Sequence, residues 1–152
     1  MPRTETHGEN SLTMAGEDYI ESIYRLMIEG DVDMSYGIRS VEVAEDLGVS
    51  KASVNKALSY LKESGMVEQA RYGRVVLTEA GVSYGRDVWR RHRALRNFLI
   101  SELGVEPSVA DDEACLMEHD LSMDTMNKMY SYLEERGIAV DDERFRKEEE
   151  NA

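Results

Sequence analysis

A thiol, a carboxylate and an imidazole follow one another at short intervals near the C-terminal end of the chain. Cys115, Glu118 and His119 are spaced i, i+3 and i+4, and residues at these intervals share one face of an α-helix. All three are ligands of divalent transition metals. Each has a structural alternative: the lone cysteine could be a small buried residue, and Glu118-His119 a surface pair. Their joint spacing favours a metal site.

Two further groups could complete this site. Asp18 and Glu21 have the same i, i+3 relation, opposite the apolar stripe of an N-terminal helical segment. His92 lies within the apolar stripe of a longer helical segment. Alone, the acidic pair could be a solvated face, and His92 a core histidine. Together these groups predict one metal site from six residues, Asp18, Glu21, His92, Cys115, Glu118 and His119.

The predicted ligand set suits particular ions. Carboxylates and imidazoles suit Mn(II) and Fe(II), and a thiolate shifts the preference toward softer ions. Zn(II) would bind more tightly by the usual affinity order, so selectivity must come from geometry and metal availability. We expect a divalent transition metal, with Mn(II) first and Fe(II) second, and no small organic ligand.

A helix-turn-helix pattern lies between the two halves of the predicted site. Ala44 stands four residues before Gly48, and Val54 stands six residues after it. A tight helix crossing needs a small residue at the contact, a turn residue that tolerates positive φ, and a branched residue packing back from the second helix. Ser40 and Ser50 are the predicted N-caps of the two helices.

A basic turn follows the helix-turn-helix. Short apolar runs flank Arg71-Tyr72-Gly73-Arg74, which predicts a β-hairpin with two arginines at its tip. A helix-turn-helix followed by a basic hairpin is the winged-helix order, and Asn and Lys side chains suit adenine and guanine edges respectively. The predicted DNA-binding residues are Lys51, Ser53, Asn55, Lys56 and Ser59 on the second helix, with Arg71 and Arg74 on the wing.

Three helices are predicted after the wing. Thr78 caps a long helix to about Leu103, Pro107 opens the helix with the cysteine, and Ser122 caps a last helix. The fold class is mainly α, an N-terminal winged helix-turn-helix with a small β-hairpin wing plus a C-terminal helical domain. The predicted ranges are a flexible N-terminus at 1–12, the DNA-binding domain at 13–78, the helical metal-binding domain at 79–140 and a charged tail at 141–152.

The distribution of charge supports DNA binding better than the total does. The net charge is −13, yet residues 41–100 hold 10 basic and 7 acidic groups, so the net positive charge is confined to the middle of the chain, where binding to a phosphate backbone would need it. One cysteine allows no internal disulfide and fits a reducing compartment, so we expect a cytoplasmic protein. The sequence has no bilayer-length apolar run.

The order of these elements resembles the family of metal-dependent transcriptional regulators that includes the diphtheria toxin repressor and the manganese transport regulator. The likeness covers roughly residues 14–137 and is most specific at Asp18 to Tyr24, at Arg91-His92, and at Glu113 to His119. It implies a C-terminal metal-binding and dimerisation domain, a homodimer, and double-stranded operator DNA as the partner. In length the chain is similar to the manganese branch, which lacks the SH3-like domain of the iron branch.

The resemblance also implies a hybrid site. Asp18 and Glu21 match the manganese branch, whereas Cys115 matches the iron branch and stands where the manganese branch has a Glu. Arg96 and Asp111 stand where the iron branch has a Glu and a His in an ancillary site, so that second site is not expected here.

Three functions follow from these observations. The first is a homodimeric, metal-activated repressor that binds DNA and controls manganese or iron uptake. The second is a metal-independent winged-helix regulator whose acidic C-terminal region binds a partner. The third is a metal or thiol enzyme with Cys115 as nucleophile and His119 as base. The sequence contains no His-Glu-x-x-His, Gly-x-Ser-x-Gly or phosphate-binding loop, so we expect no enzyme.

Overall fold

The computed structural model describes residues 12–140, which fall into two compact units, 12–89 and 90–140. The predicted tail at 141–152 and nearly all of the predicted flexible N-terminus lie outside the described residues. In the described range no helix is long and apolar enough to cross a membrane. The elements, in chain order, are α1 (Met14–Glu29), β1 (Ile38–Arg39), α2 (Ser40–Leu47), α3 (Lys51–Glu63), β2 (Val67–Gln69), β3 (Arg74–Leu77), α4 (Glu79–Leu103), α5 (Pro107–Met117) and α6 (Met123–Glu135).

Helix α1 begins at a side-chain cap, which accepts a hydrogen bond from a first-turn amide that has no helical acceptor. Thr13 is the N-cap, and its hydroxyl accepts a hydrogen bond from the Gly16 amide at 3.1 Å. The apolar stripe of α1 is buried as its periodicity predicts, with Ile20, Ile23 and Tyr24 at 0% exposure. The two helices of the helix-turn-helix, called the reading head below, pack on this helix.

Helices α2 and α3 form the predicted helix-turn-helix. Gly48 has φ +64 and closes α2 in the left-handed conformation that the turn requires. Val54 packs back with 0% exposure, and the Ser50 hydroxyl caps α3 by accepting from the Ser53 amide at 3.1 Å. The predicted cap at Ser40 was wrong by one residue, because Arg39 is the N-cap and its amide donates to the Glu42 carboxylate at 2.7 Å.

The wing is part of a three-stranded antiparallel sheet with the order β1-β3-β2. The hairpin of β2 and β3 was predicted, whereas β1 was not. Ile38 pairs with Val75, and Gly37 precedes it at φ +79, where a Cβ would lie 2.2 Å from the Val75 carbonyl oxygen. The backbone approach between β1 and β3 therefore requires glycine at position 37.

The C-terminal half of α4 packs with α5 and α6 around one apolar core. Thr78 caps α4 as predicted, since its hydroxyl accepts from the Gly81 amide at 3.0 Å. The apolar face of α6 belongs to this core, whose buried members are Ala94, Leu95, Ala114, Met126, Tyr130, Leu133 and Val140. Phe98 and Tyr132 add an edge-to-face aromatic pair with centroids 6.1 Å apart.

Helix α5 is shorter than the sequence pattern predicts. It begins at Pro107 as expected, but its last helical residue is Met117 and Glu118 is the C-cap. His119 lies in the turn that follows. Cys115 and Glu118 thus keep the geometry of a helical face, while His119 takes its position from the turn.

Candidate metal centre and DNA interface

His92 and Glu118 form the centre of a buried polar cluster in the C-terminal unit. His92 comes from the buried stripe of α4, and the residue as a whole is 3% exposed, while Glu118 at the end of α5 is 0% exposed. Their Nδ1 and Oε2 atoms lie 2.9 Å apart. Burying a carboxylate costs free energy unless a partner compensates its charge, so this pair marks a site where a cation or a proton is held.

Cys115 brings sulfur to the same place. One ligand atom each from His92, Cys115 and Glu118 lies within 4.8 Å of the other two. Nitrogen, sulfur and carboxylate oxygen together suit a divalent transition metal. These three residues could therefore hold such an ion when it binds.

His119 approaches the opposite edge of the Glu118 carboxylate. Its Nε2 lies 3.5 Å from Oε1, and its ring is 4% exposed. Glu118 therefore lies between two imidazoles, one reached from α4 and one from the turn after α5. The prediction that His119 is itself a ligand stays a prediction.

A buried arginine fixes the end of α5 beside this cluster. Arg91 is 5% exposed, and its Nη1 donates to the Glu118 carbonyl oxygen at 2.9 Å. The last carbonyls of a helix lack helical partners, so this bond both satisfies one of them and holds Glu118 in place. Arg91 precedes His92, so adjacent residues of α4 contact the backbone and the side chain of Glu118.

The predicted acidic ligands lie one turn apart on α1 in the N-terminal unit. Glu21 is 6% exposed and Asp18 is partly exposed, and their assignment as ligands stays a prediction. Glu17, which the sequence analysis did not consider, is 1% exposed and accepts a hydrogen bond from the Tyr84 hydroxyl at 2.7 Å. Tyr84 in turn accepts from the Leu12 amide at 3.0 Å. These contacts explain the burial of Glu17 structurally.

A charged cluster ties α1 to α2 beneath the reading head. Arg25 donates to Asp46 at 2.6 Å, and the Ser22 hydroxyl donates to the same carboxylate at 2.7 Å. Burial alone would lower the pKa of Arg25, but the hydrogen bond and charge of Asp46 raise it on balance. The Arg25 guanidinium also lies 5.7 Å from the centre of the Trp89 ring. The support for α3 is therefore held by charge as well as apolar packing.

Helix α3 presents a polar face to solvent. Val54 and Leu61 are buried, while the five residues predicted to face DNA are all exposed. They are Lys51, Ser53, Asn55, Lys56 and Ser59. Their contact with DNA stays a prediction.

The two wing arginines differ in their surroundings. Arg71 is exposed in the turn between β2 and β3. Arg74 begins β3, where its guanidinium lies 3.9 Å from the centre of the Tyr36 ring and donates to the Gly37 carbonyl at 3.2 Å. Tyr72 between them has φ +61 and is 92% exposed. Arg74 is thus held against β1 and the residue before it, whereas Arg71 is exposed at the wing tip. Contact of either arginine with DNA stays a prediction.

Comparison with known proteins decides the family. The model of the iron-dependent repressor N-terminal DNA-binding domain matches residues 11–75, and that of the metal-binding and dimerisation domain matches residues 78–137. The chain belongs to the iron-dependent repressor family. The transcriptional regulator MntR of Salmonella typhimurium is 32% identical over 126 residues, 82% of this chain and 76% of that protein. The MntR of Escherichia coli is 34% identical over 122 residues, 80% and 74% of the two chains.

Solved structures agree with this membership. The manganese regulator SloR superposes with a TM-score of 0.68 at 26% identity, covering 78% of this chain and 53% of its own. A manganese-dependent transcriptional repressor in complex with manganese gives 0.66 at 30% identity, covering 78% and 52%. The chain spans about half the length of these two proteins. The two family models describe a DNA-binding domain and a metal-binding and dimerisation domain. The domain bounds predicted from the sequence stay a prediction.

Proposed function

We propose that this protein is a homodimeric repressor that binds operator DNA when a divalent metal occupies the centre at His92, Cys115 and Glu118. The observation that carries the proposal is the convergence of these three donors within 4.8 Å in the unit that belongs to the metal-binding domain. The other unit of the chain matches the family's DNA-binding domain. Bound there, the metal supplies positive charge and fixed coordination geometry.

Asp18, Glu21 and His119 complete the proposed ligand set. Carboxylates and an imidazole are the donors that a Mn(II) or Fe(II) site needs beyond the three already described. The i, i+3 spacing of Asp18 and Glu21 on α1 lets both act on one ion. Because α1 supports the reading head, a ligand on α1 would couple metal occupancy to DNA binding.

The choice of metal depends on Cys115. A site of carboxylates and imidazoles suits Mn(II), and one thiolate moves its preference toward Fe(II) and softer ions. Relatives whose names include manganese favour Mn(II), so we propose Mn(II) first and Fe(II) second.

The DNA surface we propose consists of α3 and the wing. Asn55 and Lys56 are exposed at the middle of α3 and suit adenine and guanine edges. Arg71 at the wing tip would contact phosphate or the minor groove. The acidic C-terminal segment, with 16 acidic and 5 basic residues in 101–152, would be repelled by DNA and is therefore placed away from the duplex in this proposal.

Equilibrium dialysis separates this function from the metal-independent alternative. Wild-type protein should retain Mn(II) against buffer, and Glu118→Gln should lose it because a neutral amide replaces the central carboxylate. Glu113→Gln, an exposed carboxylate on the same helix, is the matched control and should bind as the wild type does. Circular dichroism checks that each variant is folded. Equal retention by Glu118→Gln and wild type would contradict the proposed centre.

A further inference from the structure

The His92 ring contacts a carboxylate at each of its two nitrogens. Nδ1 faces Glu118 Oε2 at 2.9 Å, and Nε2 faces Asp111 Oδ1 at 2.8 Å. The His92 side chain is 4% exposed, whereas that of Asp111 is 57% exposed. One edge of the ring therefore points to the buried donor cluster, and the other points to a carboxylate at the surface.

We propose that Asp111 is the positioning residue that makes Nδ1 of His92 the metal-binding atom. A neutral imidazole carries one proton, on either Nδ1 or Nε2. The lone pairs of the two nitrogens point in divergent directions, so a single ion cannot bind both. Asp111 accepts the Nε2 proton and leaves the Nδ1 lone pair directed at Glu118 and the ion. The inference rests on the proposed function, because it assumes a metal among His92, Cys115 and Glu118.

Asp111 is suited to orienting the ring rather than to binding this ion. It lies against Nε2, on the opposite edge of the ring from Glu118. It also stands one helical turn before Cys115 on α5, so the same helix carries a ligand and the group that orients a second ligand. A carboxylate that receives the other N–H of a metal-bound histidine is a common arrangement and raises the basicity of the ligand nitrogen.

Arg96 limits where the Asp111 carboxylate can turn. Its Nε lies 3.4 Å from the Asp111 oxygen that also faces His92. Both side chains are more than a third exposed, so this ion pair adds little to folding stability. Its effect is geometric, because Arg96 stands one turn after His92 on α4 and holds the carboxylate over the ring edge. Arg96 and Asp111 thus form an orienting pair beside His92 in this chain.

Two readouts on the full chain test the inference. In Zn(II)-loaded protein labelled with ¹⁵N-histidine, the His92 ring should show Nδ1 bound to the metal and a proton retained on Nε2. Asp111→Ala should lose the protected Nε2 proton and weaken Mn(II) binding by about 10–100-fold, the usual effect of removing such a partner. Asp111→Asn keeps an accepting oxygen and should restore the proton signal. Asp112→Ala removes an exposed neighbouring carboxylate and is the matched control.

The outcomes distinguish the inference from the function on which it rests. Failure of the wild type to bind either ion would overturn the metal centre and the inference with it. Tight wild-type binding with the retained proton on Nδ1 would overturn the inference alone. So would an Asp111→Ala variant that matches Asp112→Ala in both Mn(II) affinity and the Nε2 signal.

Discussion

At the scale of the residue, the chemistry of the centre depends on Glu118. Its fully buried carboxylate lies between His92 Nδ1 at 2.9 Å and His119 Nε2 at 3.5 Å, and Arg91 holds its backbone. These contacts fix the position of the carboxylate. Replacing Cys115 would change the type of donor in the cluster and leave the contacts of Glu118 in place.

Replacing Cys115 with Glu should change which metal is preferred. A carboxylate is a harder donor than a thiolate, so Cys115→Glu should favour Mn(II) relative to Zn(II). We expect the ratio of the two dissociation constants to change by about tenfold, or about 1.4 kcal/mol. Competition dialysis with both ions measures this ratio. Cys115→Ala should weaken the binding of both ions. An unchanged ratio of dissociation constants in Cys115→Glu would exclude Cys115 as a ligand.

The sequence predicts donor types better than their arrangement. The spacing of Cys115 and Glu118 on α5 suffices to place both on one face. The orientation of the His92 ring could not be predicted, because it depends on Glu118 and Asp111, which are 26 and 19 residues away. The position of His119 also escaped prediction, because the helix ends before it and a turn decides where it points.

At the scale of the element, the start of α4 depends on close backbone packing. A Cβ at Gly81 would lie 2.0 Å from the Met66 carbonyl oxygen, which already accepts from the Thr78 amide at 3.0 Å. The carbonyl cannot move without breaking that bond. Gly81→Ala should therefore destabilise the apoprotein by about 1–3 kcal/mol through overpacking.

Urea unfolding measures this loss against a control in the same helix. Ser83 is exposed on α4, so Ser83→Ala should change the free energy of unfolding by less than about 0.5 kcal/mol. If Gly81→Ala were as stable as Ser83→Ala, the contact between α4 and the Met66 carbonyl just before β2 would be looser than the structure describes.

The recognition helix offers a second prediction at this scale. Asn55→Ala should cost about 1–3 kcal/mol in operator affinity and relax sequence preference at one base pair, if Asn55 contacts a base edge. Lys56→Ala should weaken binding too, and a phosphate contact would appear as a smaller salt slope. Fluorescence anisotropy on matched and altered duplexes separates the two effects. Lys62 lies at the exposed C-terminal end of α3, and Lys62→Ala is the control. If Lys62→Ala lost as much operator affinity as Asn55→Ala and Lys56→Ala, the assignment of this DNA-binding face would be contradicted.

Elements with strong local signals were predicted best. The apolar stripe of α1 and the caps at Ser50, Thr78 and Ser122 follow from neighbours in the sequence. Strand β1 has only two residues and exists because Ile38 and Arg39 pair with β3, about 35 residues away. Neither periodicity nor composition reports such a pairing, so the sequence did not predict this strand.

At the scale of the whole molecule, the proposed dimer needs an apolar surface. The dimerisation domain leaves Val109 at 44% and Leu116 at 69% exposure, two turns apart on α5. We expect Leu116→Glu to shift the protein from dimer to monomer, because it places a charge in the interface core. Light scattering after size exclusion measures the mass. Val41, an exposed apolar residue in the DNA-binding domain, is the control site for a Val41→Glu variant, and a dimeric Leu116→Glu protein would exclude this face.

The central claim is that metal binding at His92, Cys115 and Glu118 controls DNA binding. The most direct test measures the affinity of the protein for one DNA duplex that has been selected from a random library. The affinity is compared at matched free concentrations of Mn(II), Fe(II), Co(II) and Zn(II), and in the presence of a chelator. We predict that Mn(II) or Fe(II) raises affinity by about 5–150-fold, equivalent to 1–3 kcal/mol of coupling. Glu118→Gln should bind the duplex with the metal-free affinity throughout. Equal affinity of the wild type with metal and with chelator would contradict the account.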